Sequence, residues 1–146
     1  MSLKDPALKM SKSHQDPRSR ILLTDTHKDI ASKIKIAVTD SLPLISYDPQ
    51  TRPGISNLIE IIHHVEGGRT SCEDLAREFE SLSKQNFKVL VSDRIWSSLL
   101  QVRENFQRIL NADAGRYLDA VAAQGAVKAK ASAEETMALV REVVGL

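Results

Sequence analysis

From Phe87 to Asn111 the apolar residues Phe87, Val91, Ile95, Leu99, Val102, Phe106, Ile109 and Leu110 recur at spacings of three and four, with no Gly or Pro between them. That period matches one face of an α-helix and excludes a strand, whose side chains alternate every second residue. A helix with such a stripe must bury it against other helices. Other segments repeat the pattern. Ile30, Ile34, Ala37 and Val38 share a face behind a cap at Asp25 or Thr26, and Pro53 suits the first turn of a helix carrying Ile55, Leu58, Ile59, Ile62 and Val65. Gly67-Gly68 stops that helix, and Thr70 with Glu73 has capping-box spacing ahead of Leu75, Phe79 and Leu82. Asp113 is placed to cap a further helix over 114–124, and the alanine-rich 125–146 favours helix throughout. The expected fold is mainly α. Five or six helices form an irregular bundle, with at most one short strand, at Arg18–Thr24.

A length of 146 residues, 42% apolar and 27% charged, fits one globular domain of ordinary size. The net charge of +1 does not announce a nucleic-acid binder, but its distribution is uneven: residues 1–39 carry +4 and residues 40–146 carry −3. The single cysteine, Cys72, excludes an internal disulfide and a cysteine-rich zinc site, and it reads as a half-buried helix residue. No metal site is expected from the protein's own side chains. No apolar run reaches the roughly 18 residues that span a bilayer, so no membrane association is expected.

The basic excess centres on Lys9-Met10-Ser11-Lys12-Ser13, between Pro6 and Pro17. Two lysines three apart on a flexible loop can clamp a polyphosphate, because ammonium groups are compact charges on long stems and the serine hydroxyls add donors. Such a clamp acts most strongly where negative charge builds up, as when pyrophosphate leaves ATP. An arbitrary pair of this kind is usually only a solvated basic loop.

The spelling KMSKS is the signature loop of class I aminoacyl-tRNA synthetases. The sequence around it resembles tryptophanyl-tRNA synthetases of bacterial type: MSLKDPALKMSKS, KIKIAVTDS at Lys33–Ser41, YDP at Tyr47–Pro49, RPGISNLIEI at Arg52–Ile61, and the terminal GAVKAKASAEETMALVREVVGL. The resemblance covers essentially the whole chain. It implies ATP-dependent activation of tryptophan and transfer of the tryptophan to tRNA. Lys9 and Lys12 would stabilise the pyrophosphate leaving group. Met10, Ser11 and Ser13 would complete an ATP-binding loop, with Mg2+ arriving on the nucleotide phosphates. No catalytic base is implied, because the substrate carboxylate is the nucleophile. Residues 1–24 would be the loop and the end of the catalytic domain, and residues 25–146 the helical anticodon-binding domain. His14 departs from the family, in which many members carry aspartate after the loop.

The family's Rossmann-like half, with its HIGH-type motif and tryptophan pocket, would lie upstream of Met1; His63-His64 does not supply that motif. The chain by itself is therefore expected to be inactive and monomeric, the complete protein a homodimer. Similarity to fungal mitochondrial members points to the mitochondrial matrix, with bacterial cytoplasm as the alternative. Arg77, Lys84, Lys88, Arg94, Arg103, Arg108 and Lys128 are candidate phosphate contacts, but which residues read the anticodon is not legible. Trp96 and Tyr117 are better read as core aromatics than as base-stacking platforms. Two rival readings differ in their consequences. A non-catalytic helical tRNA-binding module would not depend on Lys12. A tyrosine–tRNA ligase shares the architecture, but AVTDS and PGISNL favour tryptophan.

Overall fold

The computed structural model describes residues 1–145 and forms two compact units, Met1–Arg103 and Glu104 onward. The first unit contains helices α1 (His27–Lys35), α2 (Pro53–Val65), α3 (Cys72–Phe79), α4 (Lys84–Ser98) and the first turn of α5 (Leu100–Asn111). α4 packs against α1 and α2, and α3 packs against α2. The mainly helical expectation holds, and among the described residues there is no strand. Arg18–Thr24 instead begins in a 3-10 turn over Pro17–Ser19 and continues as irregular chain, tied down where the Leu22 N–H donates to Asp25 Oδ2 at 2.8 Å.

Local signals place most helix ends. Thr26 caps α1 through a reciprocal bond pair with Asp29, while Asp25 forms a buried 2.6 Å ion pair with Lys33. Pro53 opens α2, and Gly67 and Gly68 follow its end with φ of +78° and +69°. The cap of α3 lies one residue beyond the expected Thr70: Ser71 accepts from the Asp74 N–H, and its hydroxyl donates to the Asp74 carboxylate at 2.7 Å. The core consists of Leu3, Ile30, Ile34 and Ile45 with the stripe Ile55, Leu58, Ile59 and Ile62, then Leu75, Phe79, Phe87, Val91 and Ile95. Val38 is the exception on the α1 face. The helix ends before it and it is 46% exposed.

The long periodic segment is two helices, not one. Leu99 closes α4 with φ −94° and ψ −1°, just after the Ser97-Ser98 pair, a common place for a helix to kink. Phe87, Val91 and Ile95 enter the core, but Val102 does not. Periodicity alone cannot detect a break that keeps the three-four spacing on both sides.

In the second unit, α5 leads through a 3-10 turn (Ala112–Gly115) to α6 (Arg116–Val144), which runs unbroken through Gly125. Asp113 does not cap α6. It and Ala114 take left-handed backbone, with φ of 49° and 53°, whereas a side-chain cap needs extended backbone; Gly115 stands at the cap position instead.

Two details hold the α1–α2 connection. The Arg52 guanidinium is 6% exposed and donates to both Asp40 oxygens at 2.8 and 2.9 Å, and to Leu44 O and Ser46 Oγ at 2.7 Å. Gly54 lies so close to this connection that a Cβ would meet Val38 O at 2.3 Å and Thr39 Cα at 3.1 Å. Gly54→Ala is therefore expected to destabilise by about 1–2 kcal/mol, because overpacking against backbone outweighs the roughly 1 kcal/mol gained in helix propensity. Urea unfolding checks this, and a stabilised variant would refute it. The Arg52 hydrogen bonds hold Asp40 below its ordinary 3.8. A depressed carboxylate contributes stability above its unfolded pKa and loses it as pH falls through the folded value. Asp40→Asn is expected to be less stable than wild type at pH 7, with the gap closing as pH drops below about 4.

Candidate functional site

The loop carrying Lys9–Ser13 has a fixed base and a free tip. Leu3 is buried, and its backbone bonds on both sides: its N–H donates to Ser19 O at 2.9 Å and its C=O accepts from Val38 N–H at 2.9 Å. Ser2 N–H donates to Leu8 O at 2.8 Å, closing the first bend. From α2, the buried Asn57 amide donates to Ser2 O at 3.2 Å and Met1 O at 3.3 Å. On the far side Asp16 accepts from the Arg18 backbone and guanidinium, which holds its carboxyl down at about 2, and Ser19 is fully buried.

Between these anchors the chain has no regular structure apart from a turn at Lys12-Ser13. Met10 turns inward and packs partly against the core. Lys9 and Lys12 are exposed, and among the described residues neither ammonium has an ion-pair or hydrogen-bond partner. The Ser11 and Ser13 hydroxyls lie 3.2 Å apart. His14 is exposed, its Nδ1 accepts from the Asp16 N–H at 3.1 Å, and its C=O accepts from Arg20 Nη1 at 2.8 Å. His14 therefore braces the descending side of the loop. The segment thus gathers two ammonium groups and two hydroxyls on one solvent-facing tip, a donor set for phosphate oxygens.

A sequence model described as tRNA synthetases class I (W and Y) matches residues 1–99, nearly the whole first unit. The chain belongs to this synthetase family. Its relatives include a tryptophan–tRNA ligase of Oceanobacillus iheyensis and one of Halalkalibacterium halodurans, each 34% identical over all 146 residues. The chain spans 43% of the length of each of these ligases. Its fold is similar to that of a crystal structure of tryptophanyl-tRNA synthetase from Mycoplasma pneumoniae, with a TM-score of 0.68 and 24% identity, over all of this chain and 45% of that one. The family resemblance and the fold class read from the sequence both hold, and the bacterial relatives agree with the bacterial type.

Most of the other cations of this synthetase chain named as phosphate candidates are engaged. Arg94 bridges Glu66 at 2.8 Å and Glu78 at 2.9 Å, and Arg77 pairs with Asp74 at 3.0 Å. Arg103 is buried with its guanidinium carbon 3.7 Å from the Trp96 ring centroid. The His27 ring meets the same indole edge-on at 5.4 Å, so Trp96 is a packing residue, as expected. Tyr117 is 51% exposed, against the expectation of a core aromatic. Arg108 and Lys128 are exposed residues of the second unit. His63 Nδ1–H donates to Thr70 O at 2.7 Å, and its ring meets that of His64 edge-on, which makes this pair a helix-end brace. Cys72 is half-buried, and burial pushes its thiol up. Among the described residues no three His, Cys, Asp or Glu side chains gather as metal ligands, and no helix is long and apolar enough to cross a membrane.

Nothing in the residue pattern marks Asn57 as the residue that fixes the loop base, since a lone Asn in a helix carries no recognisable signal. Lys12→Ala should leave stability within about 0.5 kcal/mol of wild type, as for exposed, unpartnered positions. Asn57→Ala should cost about 1–3 kcal/mol, because it removes bonds to buried backbone carbonyls. It should also speed hydrogen exchange at the Leu3 amide; equal stability in the two variants would refute the anchored-base geometry.

Proposed function

We propose that this chain is the carboxy-terminal part of a tryptophan–tRNA ligase, in which residues 1–24 form the KMSKS loop and the end of the catalytic domain and residues 25–146 form the helical anticodon-binding domain. The partners are ATP, tryptophan and tRNA. The single observation that carries this reading is the pairing of an anchored loop base with two free ammonium groups at the tip, Lys9 and Lys12.

The chemistry follows from charge. The tryptophan carboxylate attacks the α-phosphorus of ATP, the bond to the β,γ-diphosphate breaks, and pyrophosphate leaves with added negative charge. Lys9 and Lys12 offset that charge as it develops, while Ser11 and Ser13 donate to phosphate oxygens and Met10 seats the loop against the body. Mg2+ comes with the nucleotide and is held through its phosphates. No side chain takes a proton, because the nucleophile is already an anion. The two lysine side chains are exposed and unpartnered among the described residues while the loop base is hydrogen-bonded, so the ammonium groups can follow the phosphate without moving the helices.

The tryptophan pocket and the HIGH-type motif belong to the upstream half of such an enzyme, which also supplies a homodimer interface. The 34% identity to two bacterial tryptophan–tRNA ligases supports tryptophan over tyrosine. It also favours bacterial cytoplasm over the mitochondrial matrix.

In the enzyme that contains this chain, Lys12→Ala is expected to slow tryptophan-dependent ATP–pyrophosphate exchange by about 100- to 1,000-fold, the range for losing one transition-state donor. Tryptophan affinity should stay within about twofold, since the lysine acts on the leaving group. Normal exchange in this variant would sink the assignment and favour a non-catalytic tRNA-binding module. The 146-residue chain alone is expected to show no exchange at all.

A further inference from the structure

A cleft of about 770 Å³ in the first unit lies where α1 meets α4, and four lysines line it: Lys28 and Lys35 from α1, Lys84 and Lys88 from α4. No Asp or Glu and no aromatic ring is among its lining residues. The helical period explains the convergence. Lys28 and Lys35 are two turns apart on one face, Lys84 and Lys88 one turn apart on the other, and the small Ser32 and Ser92 lie between.

Two of the lysines are anchored. Lys84 Nζ donates to Asp40 O at 2.7 Å, and Lys88 Nζ donates to Ala37 O at 2.7 Å and Lys35 O at 3.2 Å. These bonds satisfy carbonyls at and beyond the C-terminus of α1, where cations are favourable. An ammonium has three donors, so Lys84 keeps two and Lys88 one. Burial, helped by neighbouring Lys84, pulls Lys88 below the ordinary lysine range, and a bound anion offsets that penalty. Lys28 and Lys35 are exposed, and among the described residues their side chains have no partner.

We propose that this four-lysine cleft binds the phosphate backbone of tRNA. The cations are spread along roughly 10 Å of helix, which suits successive phosphodiesters better than one phosphate group. The lining offers no ring on which a base could stack, so the contact fixes position on the RNA rather than reading sequence. The proposal rests on the reading of this chain as a tRNA-binding part, and it goes further by naming the surface.

The test is tRNA binding by the 146-residue chain, followed by fluorescence anisotropy between 50 and 200 mM salt, about the range over which phosphate contacts reveal themselves. Lys28→Gln with Lys35→Gln should weaken binding at least about fivefold at the lowest salt and reduce the log–log salt slope by about 1.4–1.8, the loss of two phosphate contacts. Arg69→Gln with Lys130→Gln removes two exposed charges outside the cleft and should leave affinity within about twofold. An unchanged slope in the first variant overturns the proposal and leaves the synthetase reading standing. An equal loss in the second overturns it as well, since bulk charge then explains both. Binding of tripolyphosphate or polyglutamate that needs Lys28 and Lys35 while tRNA binding does not would reassign the cleft. If the unaltered chain binds no tRNA at all, the tRNA-binding reading itself fails before any substitution is made. Unchanged circular dichroism in both variants keeps these outcomes separate from unfolding.

Discussion

The structure turns on Leu3. Its side chain is fully buried, and its backbone is bonded to Ser19 on one side and to Val38 on the other. Three stretches of chain far apart in sequence meet at that one residue: the start of the loop, its return and the exit from α1. Without this clasp the loop would be unconstrained at its base, and ordering it against a ligand would cost the backbone entropy of every residue in it, about 1–2 kcal/mol each. With the clasp, that cost is met during folding at both ends, and chiefly the exposed side chains of Lys9 and Lys12 remain to be ordered when phosphate arrives. Asn57 reinforces the clasp from α2, so a buried helix residue bears on how Lys9 and Lys12 are presented.

Features written in local chemistry were legible in the sequence. Pro53, Gly67-Gly68 and Thr26 act on neighbouring backbone, and the stripes of α1 and α2 follow from period alone. The spelling of the loop also pointed to phosphate through its charges. Features that depend on distant partners were not legible. The break at Leu99 preserves the periodic spacing, so periodicity does not mark it, and the Ser97-Ser98 pair before it is too common a feature to do so alone. Asp113 had the right identity for a cap but sits in left-handed backbone, where its side chain cannot serve. Gly54 reads, with Pro43, Pro49 and Pro53, as part of a connector, and only the structure shows it inside the first turn of α2 with the connection after α1 pressing on it. Lys28 and Lys35 look like ordinary helix-surface lysines, and only the packing of α4 onto α1 sets them opposite Lys84 and Lys88.

Net charge is a poor guide here because the cations divide by what they touch. Lys33, Arg52 and Arg94 are paired with carboxylates and hold elements together. Those charges are committed, and a phosphate could recruit them only by breaking bonds that the fold depends on. Lys9 and Lys12 on the loop and Lys28 and Lys35 on α1 carry no such commitment among the described residues. A near-neutral chain can therefore present strongly positive local surfaces, provided that its acids are spent elsewhere.

The two sets of uncommitted lysines differ in how they are held, and the difference fits different work. The loop lysine side chains have no hydrogen-bond or ion-pair partner among the described residues, so their ammonium groups can move with a group that changes charge and position during a reaction. The cleft lysines sit on helices, and Lys84 and Lys88 are bonded to backbone carbonyls, so those two ammonium groups are placed before any ligand arrives, while Lys28 and Lys35 are held at their backbones. A rigid cationic track suits a partner whose own phosphates keep a regular spacing, whereas a mobile pair suits a leaving group. Both are built into the first unit, on one folded core, so the carboxylates that stabilise that core also keep its remaining ammonium groups from being neutralised internally.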